Sequence, residues 1–404
     1  MKIRPTMSGR LTQVAAAGAL AAAAGLAGAL ATGPAASAGP VARKAPAATA
    51  PTWKMQAAPE PAGTTDQAFG AVSCSSSSAC LALAINDYPR GFGEFAETWS
   101  GSHGAVRTVP DGKTTYDLQG VKCRSAQWCV AVGSKASGGD FVPVADRWNG
   151  RAWTLATPPA PAGSTNSDLG AVACSGTTAC TAIGETAKGK AAPTLLAERW
   201  NGSAWKIQSV PAPTGGGGLL NAVACPAARA CRAVGDDNKG LFSEVWNGSS
   251  WAIRPVPVPA GGSSAGLGSV SCTAANFCEA VGSYQKGGTF RSLAEIWNGS
   301  DWRAQALSAV SGEPSGGLNA VSCVSATDCE AAGDAGVAEG PQRVGVLEKW
   351  NGTTWSVQKR VLPAGDMWAG LSGISCTTGP VCEAVGYHGV SARRDHLLAL
   401  RYSS

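Results

Sequence analysis

WNGTTW, residues 350–355, is written four more times with small changes: WNGRAW from 148, WNGSAW from 200, WNGSSW from 246 and WNGSDW from 297. Asn-Gly flanked by aromatic residues is a hairpin signal, because glycine takes positive φ freely and the flanking residues favour strands. The two tryptophans are then cross-strand partners on one face of the hairpin. An acidic residue stands two positions before the first aromatic: Glu97, Asp146, Glu198, Glu244, Glu295 and Glu348. It shares that face; half of a catalytic carboxylate pair is one reading of it, but six near-identical copies argue for a structural hydrogen bond to a turn or an indole N–H.

Outward from this phrase the chain is periodic. All 14 cysteines fall in pairs with five residues between: Cys74/Cys80, Cys123/Cys129, Cys174/Cys180, Cys225/Cys231, Cys272/Cys278, Cys323/Cys329 and Cys376/Cys382. The first members recur every 47 to 53 residues, a period that suits a propeller blade. Each unit carries four short β-type segments, as in LNAVSC (318–323), CEAVG (278–282), LAEIW (293–297) and WKIQSVPAP (205–213). Val, Ile and Trp on short alternating runs between Gly, Pro and Asn-Gly argue for strands. Twelve tryptophans fill the two aromatic slots per unit; Gly104 and Tyr402 take the other two, and Trp128 and Trp368 fall outside the scheme.

The ends of the chain complement each other. TWKMQAAPEPAG from Thr52 reads as a fourth segment with nothing before it, and the final LLALRYSS as a third segment with nothing after it. Together they complete one unit, which removes an open edge. The expected fold is all-β: a seven-bladed β-propeller of four-stranded blades over 51–404, closed by pairing of the N-terminal strand with the C-terminal blade.

An even cysteine count in an exported chain reads as disulfides, one clipping the first hairpin of each unit. A metal site would need convergent ligands, and His103, His388 and His396 lie near no Cys pair. No metal and no cofactor is expected. Residues 1–38 read as a secretory signal peptide: Lys2, Arg4 and Arg10, an Ala/Gly/Leu run, then Ala36-Ser37-Ala38, with cleavage near Ala38. The rival reading is a retained anchor. Residues 39–50 are an Ala/Pro-rich linker, and no later stretch is apolar enough to span a bilayer. The formal charge of +5 includes three leader cations and no leader acids, which leaves +2 for 39–404. A nearly neutral body gives no electrostatic case for nucleic acid.

The pattern resembles the exported BNR/Asp-box and kelch-like propeller repeat proteins. Gly352, Thr354 and Trp355 match the last positions of the Asp-box, S-x-D-x-G-x-T-W, but Trp350 stands where its Asp belongs and the Ser is absent. The resemblance implies architecture and transfers no catalytic residue.

Function is expected where the repeat breaks. The paired tryptophans can be sugar platforms or interblade core, and core is the commoner use. The matches N-x-S/T at Asn201, Asn247, Asn298 and Asn351 are explained by the turn itself. Irregular loops run through NDYPRGFGEF (86–95), AGDMWAG (364–370) and YHGVSARRDH (387–396). Chain closure would gather Tyr88, Arg90, Phe92, Trp368, His388, Arg393 and Arg394 into one aromatic and basic patch, unless these are ordinary solvated loops. His388 with Asp395 suggests a general base, but no nucleophile accompanies it. The expected function is therefore a secreted, monomeric, non-catalytic module that binds a protein or a glycan. The competing reading is an extracellular glycoside hydrolase or lyase, which would need paired carboxylates at the loop end, roughly 5–10 Å apart.

Overall fold

The computed structural model describes residues 51–64, 66–88, 91–109, 116–214, 217–307, 315–336, 342–379, 381–391 and 394–403. They form 28 strands and no helix, in three four-stranded and two eight-stranded sheets. The unit is an antiparallel meander: Leu219–Ala227, Ala230–Asp236, Leu241–Trp246 and Trp251–Val256 pair in chain order. Each eight-stranded sheet is two meanders held by one parallel bridge, Asn166 to Phe141 in one and Arg343 to Trp368 in the other. No described sheet closes on itself.

The first hairpin of every meander carries its own disulfide. The bonds are Cys74–Cys80, Cys123–Cys129, Cys174–Cys180, Cys225–Cys231, Cys272–Cys278, Cys323–Cys329 and Cys376–Cys382, and no cysteine is free. Each closes a short loop within one meander and cross-links no two units. The expectation of a hairpin clip is incomplete, however, because the second cysteine of each pair is also core. Cys80, Cys129, Cys180, Cys231, Cys278, Cys329 and Cys382 are all 5% exposed or less. Their register explains the burial. Each stands opposite the first aromatic of its own unit: Cys80 faces Trp99, Cys129 Trp148, Cys180 Trp200, Cys231 Trp246, Cys278 Trp297, Cys329 Trp350 and Cys382 Tyr402. Sulfur thus packs among the indoles, as the apolar character of a bonded cysteine allows.

The opening phrase forms the last hairpin. Its tryptophans are register partners, as in Trp297 with Trp302, and four residues make the loop. The Asn298 carboxamide oxygen accepts backbone N–H bonds from Ser300 at 2.9 Å and Asp301 at 3.0 Å, while Gly299 takes φ 102°. Asparagine is needed as an internal cap and glycine for the left-handed turn. Trp350 Nε1 donates to Ala326 O at 3.1 Å, in the turn of the disulfide hairpin. Both hairpins therefore lie at one end of the meander.

Most of the paired indoles are core. Trp148, Trp205, Trp246, Trp251, Trp297, Trp302, Trp350 and Trp355 are all 9% exposed or less. Neighbouring units sandwich them: the Arg232 guanidinium lies 3.7 Å from the Trp297 ring centre and that of Arg199 4.7 Å from Trp246.

The acidic residues depart from expectation. Glu97, Glu198, Glu244 and Glu295 are fully buried, and neither carboxyl oxygen of any of them has a hydrogen-bond partner. Asp146 follows the reading, accepting from Ala156 N at 3.1 Å. Burial acts on all five: it raises the four glutamates to about 8 and Asp146, despite its bond to Ala156, to about 7, so near neutral pH the glutamates are uncharged acids that need no counterion.

Successive units are stitched along their first strands. Ser73 Oγ accepts from Cys123 N, Ser271 from Cys323 N, Ser322 from Cys376 N and Ser375 from Cys74 N, at 2.9–3.0 Å. The last of these joins the C-terminal unit to the first, and Phe69, Phe95, Val385 and Leu397 share one buried cluster there. Thr52–Met55 pairs antiparallel with Arg394–Ser403, placing Trp53 opposite Tyr402 with ring centres 5.3 Å apart.

Candidate functional site

The irregular segments of the C-terminal unit meet at the end of the meander opposite the disulfide. Three strands set the geometry: Trp368–Thr377, Val381–Ser391 and Arg394–Ser403. Register places Trp368 beside Gly389, and Gly389 beside Asp395. The Trp368 indole N–H crosses this row to donate to Asp395 Oδ1 at 2.7 Å. Gly389 is required: a Cβ there would stand 2.9 Å from that indole nitrogen and 2.8 Å from Asp395 Oδ1. Trp368 is thus held in one orientation, and the residue is only partly buried.

One residue further in, His388 is the register partner of His396. Asp366 Oδ2 lies 2.5 Å from His388 Nδ1, and Glu60 Oε1 lies 3.0 Å from His396 Nδ1. Asp66 accepts from Asp395 N at 3.1 Å. Burial raises the Asp395 carboxyl, opposed by the indole bond. Glu60 and Asp66 come from the segment after the N-terminal strand, so the two ends of the chain build this site together.

Of the residues expected here, the structure brings together Trp368 and His388, with Arg394 exposed at the start of its strand. Tyr88 and Phe92 lie in the strands Ala79–Tyr88 and Gly91–Ser100, where only their backbone is described. Arg90 and Arg393 lie outside the described residues. Sequence reasoning missed Asp366, Asp395 as the indole acceptor, His396 and Glu60; the alternation of His388 and His396 about a hairpin was the available signal.

A second cluster, also missed, lies near the same end of the first three units. Glu94 Oε1 accepts from Leu118 N at 2.7 Å, and Gln119 Nε2 bridges Asp117 Oδ2 at 3.1 Å and Asp168 Oδ2 at 2.8 Å. Burial, then the Asp117 charge, raises Glu94 to about 9; the same two causes take Asp168 to about 6. Burial also raises Asp117, and hydrogen bonds from Gln119 and Glu94 oppose it. Glu94, at about 9, holds its proton near neutral pH and is hydrogen-bonded to Asp117.

Among the described residues, two cavities lie apart from the loop patch. One of about 260 Å³ is lined by Arg254, Pro255, Trp297, Asp301 and Trp302, and one of about 240 Å³ by Pro51, Asp328, Glu330, Lys349 and Tyr402. Neither includes a residue of the loop patch.

An all-strand chain of disulfide-clipped meanders, stitched side by side along their first strands, is a β-propeller repeat protein. Solved structures share the fold. A polysaccharide lyase of family PL25, an ulvan lyase, aligns over 83% of this chain and 94% of its own at 11% identity, TM-score 0.52. YCF48 bound to a D1 peptide aligns over 88% and 95% at 14% identity, TM-score 0.49. YCF48 from Cyanidioschyzon merolae aligns over 87% and 98% at 12% identity, TM-score 0.49. No protein-family model matches the sequence, and no curated protein does. At 11% identity the likeness to the lyase is one of fold. Among the described residues no helix is long and apolar enough to cross a membrane, and seven disulfides are characteristic of an oxidising compartment.

Proposed function

We propose that the chain is a secreted, non-catalytic binding module: a closed seven-bladed propeller over 51–404, released from a leader of residues 1–38, that takes a protein or glycan on its loop face. The pairing of Trp53 with Tyr402 and the bond from Cys74 N to Ser375 Oγ support the closure. The binding reading rests on one observation, the partly buried Trp368 fixed by Asp395 on a face where the repeat is broken. A rigid amphipathic aromatic loses little entropy on binding and offers a stacking surface to a sugar or an apolar side chain. Arg394, exposed at the start of its strand on the same hairpin, is a further candidate donor.

The test is glycan-array binding together with capture of extracellular proteins by the purified protein, each repeated with Trp368→Ala. Binding lost in the variant, with unchanged unfolding, supports the proposal. Binding that is indifferent to Trp368 defeats it.

A second reading, an extracellular glycoside hydrolase or lyase, is favoured by the hydrogen-bonded pair of Glu94 with Asp117 and the nearby Asp168. Turnover of any polysaccharide, abolished by Glu94→Gln, would establish that reading over the first.

A further inference from the structure

The two histidines of the C-terminal hairpin stand side by side across its strands. His388 and His396 are register partners, with ring centres 5.6 Å apart and planes inclined by 31°. Each ring is engaged at Nδ1 by a carboxylate of its own, Asp366 for His388 and Glu60 for His396. With Nδ1 of each ring set against a carboxylate, Nε2 is the nitrogen left to coordinate. A carboxylate behind the imidazole is the usual outer partner of a ligating histidine.

The supports are themselves fixed. Glu60 Oε1 also accepts from Leu397 N at 3.3 Å, and Asp366 N donates to Pro363 O at 3.1 Å. Both imidazoles remain open to solvent, with side-chain exposures of 19% for His388 and 29% for His396. The charge around them is negative. Asp395 interacts with both rings and Asp66 lies beside Asp395, so four acidic side chains lie around the two imidazoles. A cation is the species this setting attracts, and neutral nitrogen donors select a transition metal over Ca²⁺ or Mg²⁺.

We propose that His388 and His396 bind one divalent transition-metal ion of the imidazole-preferring group, such as Zn²⁺, through their Nε2 atoms. Among the described residues no group of three or more His, Cys, Asp or Glu gathers on one metal position. The chain therefore supplies two ligands, and water or a donor atom of a bound molecule fills the rest. The proposal stands whether or not the loop face binds a glycan or protein.

The test uses purified protein without an affinity tag, stripped with EDTA and titrated with Zn²⁺ at pH 7.5 by calorimetry and by proton NMR of the imidazoles. The chain has three histidines, and the exposed His103, on the strand His103–Thr108, is an internal control. The expected result is a single site, with the His388 and His396 resonances shifting and His103 unmoved. His388→Gln or His396→Gln weakens binding at least about tenfold, and Glu60→Gln, which keeps both ligands, weakens it about tenfold through lost orientation. Unfolding curves of the variants show that the fold survives. If Zn²⁺ leaves both resonances in place, if the double histidine variant still binds equally well, or if Ca²⁺ competes as an equal, the proposal is wrong.

Discussion

Glu244→Gln isolates the energetics of the buried acids. Glu244 is fully buried, its two oxygens have no hydrogen-bond partner, and burial alone raises it from 4.5 to about 8. Below pH 4.5 the acid is protonated folded or unfolded and contributes no pH dependence. Between 4.5 and 8 the unfolded chain releases a proton that the folded chain keeps, so stability falls as pH rises. Above 8 both states are ionised and the deficit stays constant. Each pKa unit corresponds to about 1.4 kcal/mol, so the full shift is on the order of 5 kcal/mol. Glutamine has nearly the same shape and cannot ionise; whatever its amide costs in an apolar cell is the same at every pH.

The variant is therefore judged by slope. Denaturant unfolding of both proteins at pH 4.5, 6, 7.5 and 9, with disulfides intact, gives the stability difference at each pH. The gap between Glu244→Gln and the parent should move in favour of the variant by several kcal/mol across this range, then level off. Glu97, Glu198 and Glu295 occupy the same position in other units, so the parent itself should weaken steeply over the window. A gap independent of pH, or a parent that gains stability from pH 5 to 8, would falsify the assignment of these residues as neutral buried acids.

Replacing Cys323 and Cys329 together by serine should lower stability by about 2 kcal/mol; an unchanged denaturant midpoint would show that the clip constrains nothing. Trp53→Ala removes a buried indole from the strand that completes the C-terminal meander and should cost about 3–5 kcal/mol, read as faster proteolysis near both chain ends; cleavage spread evenly along the chain would argue against that role. Asn298→Ala loses three turn bonds at an exposed site, two from backbone N–H groups and one from the Ser300 hydroxyl, and should cost about 1 kcal/mol, whereas Asn298→Asp, which keeps the acceptor, should cost little; equal losses would count against the capping role of the side-chain oxygen.

The sequence carried the fold because the fold is local and repeated. A hairpin needs only its own turn residues and alternation, and Trp-Asn-Gly-x-x-Trp supplies both within six positions. The short Cys loop likewise has one plausible partner for each thiol. That the second cysteine of each loop would be buried was less legible, since it depends on the register with a third strand that brings the first aromatic opposite it. What escaped altogether was contact between units. Glu94, Asp117 and Asp168 belong to three different meanders, and Gln119 reaches Asp168 49 residues away. The Glu60–His396 contact spans 336 residues and exists because the N-terminal strand lies on the last hairpin. No spacing rule encodes such pairs. The buried glutamates failed for another reason: an acidic residue beside an indole suggests a partner, and only its burial shows that neutralisation replaces one.

The same contrast separates scaffold from site. Where a residue type recurs through the units, as with the indoles and the acids beside them, the structure mostly buries it between neighbours. Trp368, His388 and His396 have no counterparts in the pattern, and two of them draw their carboxylate partners from loops outside their own hairpin. Docking of the N-terminal segment is thus a condition for assembling the histidine pair as well as for completing the sheet. Trp53→Ala should then loosen Glu60 from His396 and weaken Zn²⁺ binding while leaving His388, the Asp366 pair and all seven disulfides in place. Full-strength metal binding in that variant would mean that the hairpin positions its imidazoles without the other end of the chain.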